Sequence, residues 1–210
     1  MLKEPPPFRE NRFLQLLIVW LILVWALSAI EPFSRPEWAM ENILVGSYAI
    51  VLSLTYRYFR FTNLSYGLFG LFMTLHLIGA HYTYAETPIG FWLQDIFGGS
   101  RNNYDRVVHF SYGLLCGYAM WDILVRCARV RQSWSYFMAV VVILAFSSFY
   151  ELLEALVAVV ITPDLGILWI GAQGDEWDAH KDTLLAMLGA IIAMMMTWYS
   201  VGERKISVSE

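Results

Sequence analysis

The sequence is poor in charged residues and in cysteine. Charged residues make up 15% of its 210 residues, against ~25% in an ordinary soluble domain. The two cysteines, Cys116 and Cys127, fall on one apolar segment, where eleven helical steps separate them by ~16 Å. That distance is too long for a disulfide bond, and no CxxC pair occurs. A disulfide framework and a cysteine-based zinc site are therefore excluded.

Long basic runs, internal repeats and low-complexity segments are also absent, and the formal net charge is only −4. Nucleic-acid-binding surfaces are typically built from clustered Lys and Arg. We therefore expect no nucleic-acid partner. The lack of a composition break along the chain predicts a single domain over residues 1–210.

Apolar residues, in contrast, are abundant. Hydrophobic residues make up 58% of the chain, and its mean hydropathy is +0.52. A soluble domain of this size would have to expose large apolar patches, whereas a lipid bilayer removes that problem. The composition therefore predicts an integral membrane protein whose expected partners are membrane lipids, with a homo-oligomer left open.

Six apolar segments are each close to the ~20 residues that a helix needs to cross ~30 Å of hydrocarbon, and turn residues separate them. They predict an all-α, polytopic membrane helix bundle of about six transmembrane helices. The segments are roughly 13–30, 40–58, 64–84, 106–126, 136–160 and 181–200.

The distribution of basic residues predicts the orientation, because cytoplasmic loops carry an excess of Lys and Arg. Ten of the 14 basic residues fall on one side of the predicted spans, which places both termini in the cytoplasm. The loops 31–39, 85–105 and 161–180 then face outward, and in a bacterium they would be periplasmic. The four basic residues on the outer side are Arg35, Arg101, Arg106 and Lys181.

Carboxylate and histidine side chains gather in the predicted outer half. Ionisable residues within membrane spans are costly and indicate function by default. Three segments each place a polar pair three or four residues apart, on one helix face: Asp105 and His109, Glu151 and Glu154, and Asp178 and Asp182.

Two further histidines, His76 and His81, lie on the third segment. Five helical residues separate their directions by ~140°, so only one of them is expected to face the cluster. We favour His81, because it is nearer the outer end and shares its face with Tyr84.

Carboxylates this close together need compensation, because like charges oppose one another's ionisation. One interpretation is a divalent metal ion, and carboxylate with imidazole suits zinc, manganese or iron. The metal ligands would come from His81, His109, Glu151, Glu154, Asp178 and Asp182. The acid–base residues of a catalytic site would be His109, Asp105, Glu151, Glu154, Asp178 and Asp182. The alternatives are a shared-proton relay and salt bridges to Arg101, Arg106 and Lys181. At the inner end, we expect Asp122 to pair with Arg126, four residues on.

Four stretches carry a resemblance to a known family. They are GAHYTYAETPIG (79–90), RNNYDRVVHFSYG (101–113), FSSFYELLEA (146–155) and GDEWDAHKDTLLAMLGA (174–190). Over its full length the sequence resembles the YjdF family of bacterial inner-membrane proteins. The resemblance implies an inner-membrane location and a multi-pass topology, and it implies no activity.

The C-terminal half also resembles, more distantly, the VanZ-like membrane proteins linked to glycopeptide tolerance. Asp105, Arg106 and His109 match the opening of that family's pattern. Glu151 or Glu154 would match its later glutamate, and Asp182 and Gly189 its acidic helix with a glycine. The sequence departs from the pattern at Ala186, where the family usually has asparagine.

Three functions follow as hypotheses. The first is a metal or acid–base site at the outer leaflet that acts on a lipid or a lipid-linked molecule of the cell envelope. The second is a small proton-coupled transporter, although the visible internal symmetry of many carriers is missing. The third is a structural or regulatory membrane protein whose polar pairs only join helices.

Overall fold

The computed structural model describes residues 5–160 and 173–206, except for the side chains of residue 97 and residues 202–206. All regular structure within these residues is α-helical, which confirms the predicted all-α class. The helices are α1 (Arg12–Ser28), α2 (Arg35–Thr55), α3 (Asn63–His81), α4 (Pro88–Phe97), α5 (Tyr104–Arg126), α6 (Gln132–Val160) and α7 (Asp178–Ile206). Residues 161–172 of the third predicted outer loop lie outside the described residues.

Local capping explains where several helices begin. The Asn11 side chain accepts a hydrogen bond from the backbone N–H of Leu14 and caps α1, and Thr62 caps α3 in the same way through Ser65. Helix α2 begins with a proline in its first turn, where a missing N–H costs nothing. It therefore starts five residues before the predicted segment 40–58, which adds Glu37 to the helix and places Glu41 one turn after it.

Four helices are long and apolar enough to cross a membrane, namely α2, α3, α6 and the part of α7 up to residue 201. This confirms a polytopic membrane bundle. Helix α1 is apolar but only 17 residues long, and α5 has sufficient length but more polar residues. That these two helices also span the membrane remains a prediction.

Helix α5 lies at the centre of the bundle and packs against α3, α6 and α7. Its approach to α7 is close because two glycines face each other's helix. A Cβ at Gly113 would overlap the backbone oxygen of Ala186, and one at Gly189 would overlap that of Phe110. Small residues allow such close packing of helices in membranes. No residue of α5 is exposed, so the polar side chains of this helix are shielded from lipid by its neighbours.

We call the end of the bundle at which α5 begins the outer end, following the predicted orientation, and the opposite end the inner end. At the inner end Asp122 is fully buried and accepts a hydrogen bond from Arg126, 3.0 Å away, which confirms the predicted pair. Asp122 also accepts hydrogen bonds from the backbone N–H of Thr62 and the hydroxyl of Ser65. One carboxylate thus joins α5 to the start of α3.

Replacing Asp122 by alanine is expected to destabilise the fold by about 3–5 kcal/mol, because it leaves the Arg126 guanidinium without its buried partner. The measurement is unfolding of the detergent-purified protein in a graded denaturing detergent. Asp95→Ala on α4 is the control, because Asp95 is exposed and its loss should change stability by less than about 0.5 kcal/mol. Equal effects of the two substitutions would contradict this account.

Candidate functional site

Three potential metal ligands converge at the outer end, where α5 and α7 begin. They are Asp105 and His109 on α5 and Asp182 on α7, and one ligand atom of each lies within 4.8 Å of the others. Asp105 and His109 share a face of α5 because they are four residues apart. The glycine-mediated packing of α5 on α7 brings Asp182 to that face.

The imidazole of His109 lies between two carboxylates. Its Nε2 is 3.5 Å from Oδ1 of Asp105 and 3.4 Å from Oε1 of Glu151. Both distances are too long for a strong hydrogen bond. Ligands held ~2.1 Å from a tetrahedral metal ion are about 3.4 Å apart. The distance between His109 and Asp105 therefore fits two neighbouring ligands of one ion.

Asp182 has a buried oxygen without a hydrogen-bond partner. Its side chain is 2% exposed, and Oδ1 accepts no hydrogen bond from the described residues. The Oε1 atom of Glu151 also accepts none, although the His109 Nε2 atom lies 3.4 Å away. Buried polar atoms in native proteins are nearly always satisfied, and an exception calls for an explanation such as an ion. Both unsatisfied oxygens belong to residues of this cluster.

Two arginines compensate carboxylates of the cluster, and one of them, Arg101, also lies 3.6 Å from Asp105. Arg101 donates to Asp178 over 2.8 Å, and Arg106 donates to Asp175 over 2.5 Å. Lys181 also donates to Asp175, and this hydrogen bond holds the pKa of the Asp175 carboxyl at about 2. Asp178, which we predicted as a ligand, is thus occupied by a salt bridge, while Asp182, one helical turn later, is not.

Glu151 and Glu154 lie three residues apart on α6 and therefore share a face of that helix. Glu151 faces His109, and Glu154 lines a neighbouring cavity. A carboxyl group therefore stands beside the imidazole, where it can exchange a proton with a reacting group.

A second polar group lies beside the first and was not predicted from the sequence. His76 is buried, and its Nε2 is 3.1 Å from the backbone oxygen of Glu41. Because a carbonyl cannot donate, Nε2 carries the hydrogen, and Nδ1 accepts from the hydroxyl of Tyr84 over 2.6 Å. The Glu41 carboxylate in turn accepts from Tyr150, 3.2 Å away. Both nitrogens of His76 are therefore occupied by hydrogen bonds.

His81, which we predicted as a ligand, lies apart from these groups. Its Nδ1 is 3.0 Å from the backbone oxygen of Ser28 at the end of α1. His76 therefore faces the cluster in its place, because the two histidines point in different directions around α3. The other predicted residues, Asp105, His109, Glu151, Glu154, Asp178 and Asp182, do lie at the outer end of the bundle.

A cavity of about 780 Å³ lies between α2, α3, α5 and α6. Its outer end is polar and is lined by Glu37, Glu41, His76, Asp105, His109, Tyr150 and Glu154. Towards the inner end its lining is apolar and aromatic, with Leu52, Phe59, Phe61, Met120 and Ile123. The ligand cluster therefore lies at the mouth of a long apolar space.

Comparison with known proteins places the chain in a family. The family model described as "Predicted membrane protein (DUF2238)" matches residues 13–203. The chain belongs to this family. It is also 35% identical over 180 residues to the inner membrane protein YjdF of Escherichia coli strain K12, and the match covers 85% of each chain. No solved structure matches.

These findings confirm the predicted membrane class, the multi-pass inner-membrane location and the resemblance to the YjdF family. The resemblance to VanZ-like proteins finds no support in them. Neither comparison bears on the cluster, so the roles of its residues rest on the geometry described above.

Proposed function

We propose that the protein binds a divalent metal ion at Asp105, His109 and Asp182 and uses it on a lipid or lipid-linked molecule of the cell envelope. The observation that carries the proposal is that Asp105, His109 and Asp182 each place one ligand atom within 4.8 Å of the others. In addition, Oδ1 of the buried Asp182 accepts no hydrogen bond from the described residues. Two carboxylates and one imidazole suit zinc, manganese or iron.

The neighbouring groups supply what such a reaction needs. A bound metal ion polarises an ester oxygen or activates a water molecule. Glu151 lies 3.4 Å from His109, and Glu154 follows three residues later on α6. These carboxyl groups would transfer a proton to or from the reacting group. The cavity with its apolar inner half lies next to Asp105 and His109, which suits a substrate with a hydrocarbon chain.

A proton-coupled carrier is less well supported. A relay across the membrane needs ionisable groups over its whole depth. Among the described residues that line the cavity, the carboxylates and histidines are confined to the outer end. A purely structural role is also less well supported, because the buried Oδ1 atom of Asp182 accepts no hydrogen bond from the described residues and so does not stabilise the bundle.

Metal analysis of the purified protein tests the proposal. We expect about one equivalent of zinc, manganese or iron per chain, removal by a chelator, and recovery on reloading. His109→Ala should abolish recovery, whereas His81→Ala, the matched control on α3, should leave it intact. The proposal is wrong if the wild-type protein holds no metal after reloading, or if both histidine variants behave alike.

A further inference from the structure

The cavity described above is a cleft in the lipid-facing surface of the bundle. Helix α2 packs on α3, and α6 packs on α5 and α7, so α2 and α6 form two separate walls. Both walls carry apolar side chains that line the cavity and are more than half exposed, such as Val51 on α2 and Phe149 on α6. In a bilayer this space faces hydrocarbon chains, which can enter from the side.

The depth of the cleft suits a lipid chain. On α2 its lining extends from Glu37 to Thr55, and 18 helical steps of 1.5 Å amount to ~27 Å. One leaflet contributes about half of the ~30 Å hydrocarbon core. A chain that enters from the outer leaflet therefore fits without reaching the inner end, and its polar head then lies at the acidic outer end.

The charge at the outer end selects the head group. Four carboxyl residues line the cleft there, and no Lys or Arg is among the described residues of its lining. They are Glu37, Glu41, Asp105 and Glu154. Arg101 pairs with Asp178 and also lies 3.6 Å from Asp105, and Arg106 pairs with Asp175, so Glu37 and Glu41 are the carboxyl groups of the lining farthest from these arginines in the chain. An anionic head group would meet repulsion here, whereas an ammonium group would find opposite charge.

We propose that the cleft between α2 and α6 binds an amine-headed phospholipid of the outer leaflet. Its hydrocarbon chain lies along Val51 and Leu52, and its ammonium group lies against Glu37 and Glu41. This deepens the proposed function and rests on it, because the phosphate of such a lipid then lies towards His109. Glu37 and Glu41 are specificity-determining residues in this assignment.

Lipid competition tests the assignment. The full-length protein is delipidated and incubated with vesicles of equal parts phosphatidylethanolamine and phosphatidylglycerol, and the lipids that stay bound are counted by native mass spectrometry. We expect about fivefold enrichment of phosphatidylethanolamine, the ratio that one partly screened ion pair provides. Glu37→Gln should bring the ratio close to one, because it removes the charge while keeping the shape of the side chain.

A pair of neighbouring residues tests the position of the chain. Val51 lines the cleft and Ile50 does not, although both are exposed on α2. Val51→Trp should fill the cleft and reduce binding of both lipids, and Ile50→Trp should leave it unchanged. Equal binding of the two lipids by the wild-type protein, or equal effects of the two tryptophans, would overturn the assignment.

Metal content is measured on the same samples, so that a failure of the metal-site proposal can be distinguished from a failure of the lipid assignment. A wild-type protein that holds its metal ion and binds both lipids equally refutes the lipid assignment alone. A protein that selects phosphatidylethanolamine but holds no metal refutes the metal site and leaves the cleft as a lipid-binding surface.

Discussion

Replacing Asp182 by asparagine is expected to reduce the affinity for the metal ion by at least about 100-fold. Substitution of a residue that only supports a ligand already reduces metal affinity by up to about 100-fold, and Asp182 is itself a proposed ligand. The substitution keeps the size of the side chain and removes the charge that a divalent ion needs. Asp182 is buried with one oxygen unpartnered, so the neutral amide leaves the surrounding packing in place. The measurement is metal affinity by competition with a chelating dye, together with metal content.

The matched control is Asp178→Asn, one helical turn earlier on α7. Asp178 is also buried, but its carboxylate is paired with Arg101. We expect this variant to keep its metal ion and to lose stability instead, because Arg101 then has a weaker partner. If Asp178→Asn loses the metal as completely as Asp182→Asn does, the ligand set assigned here is wrong. If neither loses it, the ion lies elsewhere.

The contrast between these two aspartates could not be predicted from the sequence. Their spacing places both on one face of a helix, and the sequence offers Arg101 and Arg106 as partners for either of them. Only the crossing of α5 and α7 decides which carboxylate the guanidinium groups reach. The salt-bridge interpretation applies to Asp178 and Asp175, and the metal interpretation stays our proposal for Asp182. The sequence alone could not divide the cluster in this way.

The pairs within single helices were predictable, because helical geometry fixes them. Asp105 and His109 share a face, as do Asp122 and Arg126. The choice between His76 and His81 depended on the rotation of α3 relative to its neighbours. His81 is the last residue of α3, and its side chain contacts the end of α1. Its position near the outer end therefore did not indicate that it faces the cluster.

Glu41 was missed for a different reason. The apolar segment was taken to start at residue 40, which left Glu37 outside the helix and Glu41 at its first turn. Pro36 favours a helix that starts there, and a start at Arg35 would have placed both glutamates four residues apart on one face. The signal was present in the sequence. The cleft that these residues line, in contrast, depends on four helices and has no local signature.

The other large effect is expected at the contact between α5 and α7. Gly113→Ala should destabilise the protein by about 1–3 kcal/mol, as over-packing typically does, because the new Cβ overlaps a backbone oxygen that no side-chain rotation can move. Gly46→Ala is the matched control. Gly46 lies in α2 with nothing within 4 Å of an added Cβ, so alanine should be neutral or stabilise the helix by up to about 1 kcal/mol. The stability of both variants is measured by heating the detergent-purified protein and using size-exclusion chromatography to quantify the fraction that has aggregated.

The same pair links the packing to the candidate site. Asp105 and His109 lie on α5, and Asp182 lies on α7. A Cβ added at Gly113 would push these two helices apart and would therefore also separate the three ligands. Gly113→Ala should therefore weaken metal binding without changing any ligand, and Gly46→Ala should not. Normal metal affinity in a destabilised Gly113→Ala protein would show that the ligands do not depend on this crossing. In that case the ion would be held by residues of one helix and its loop.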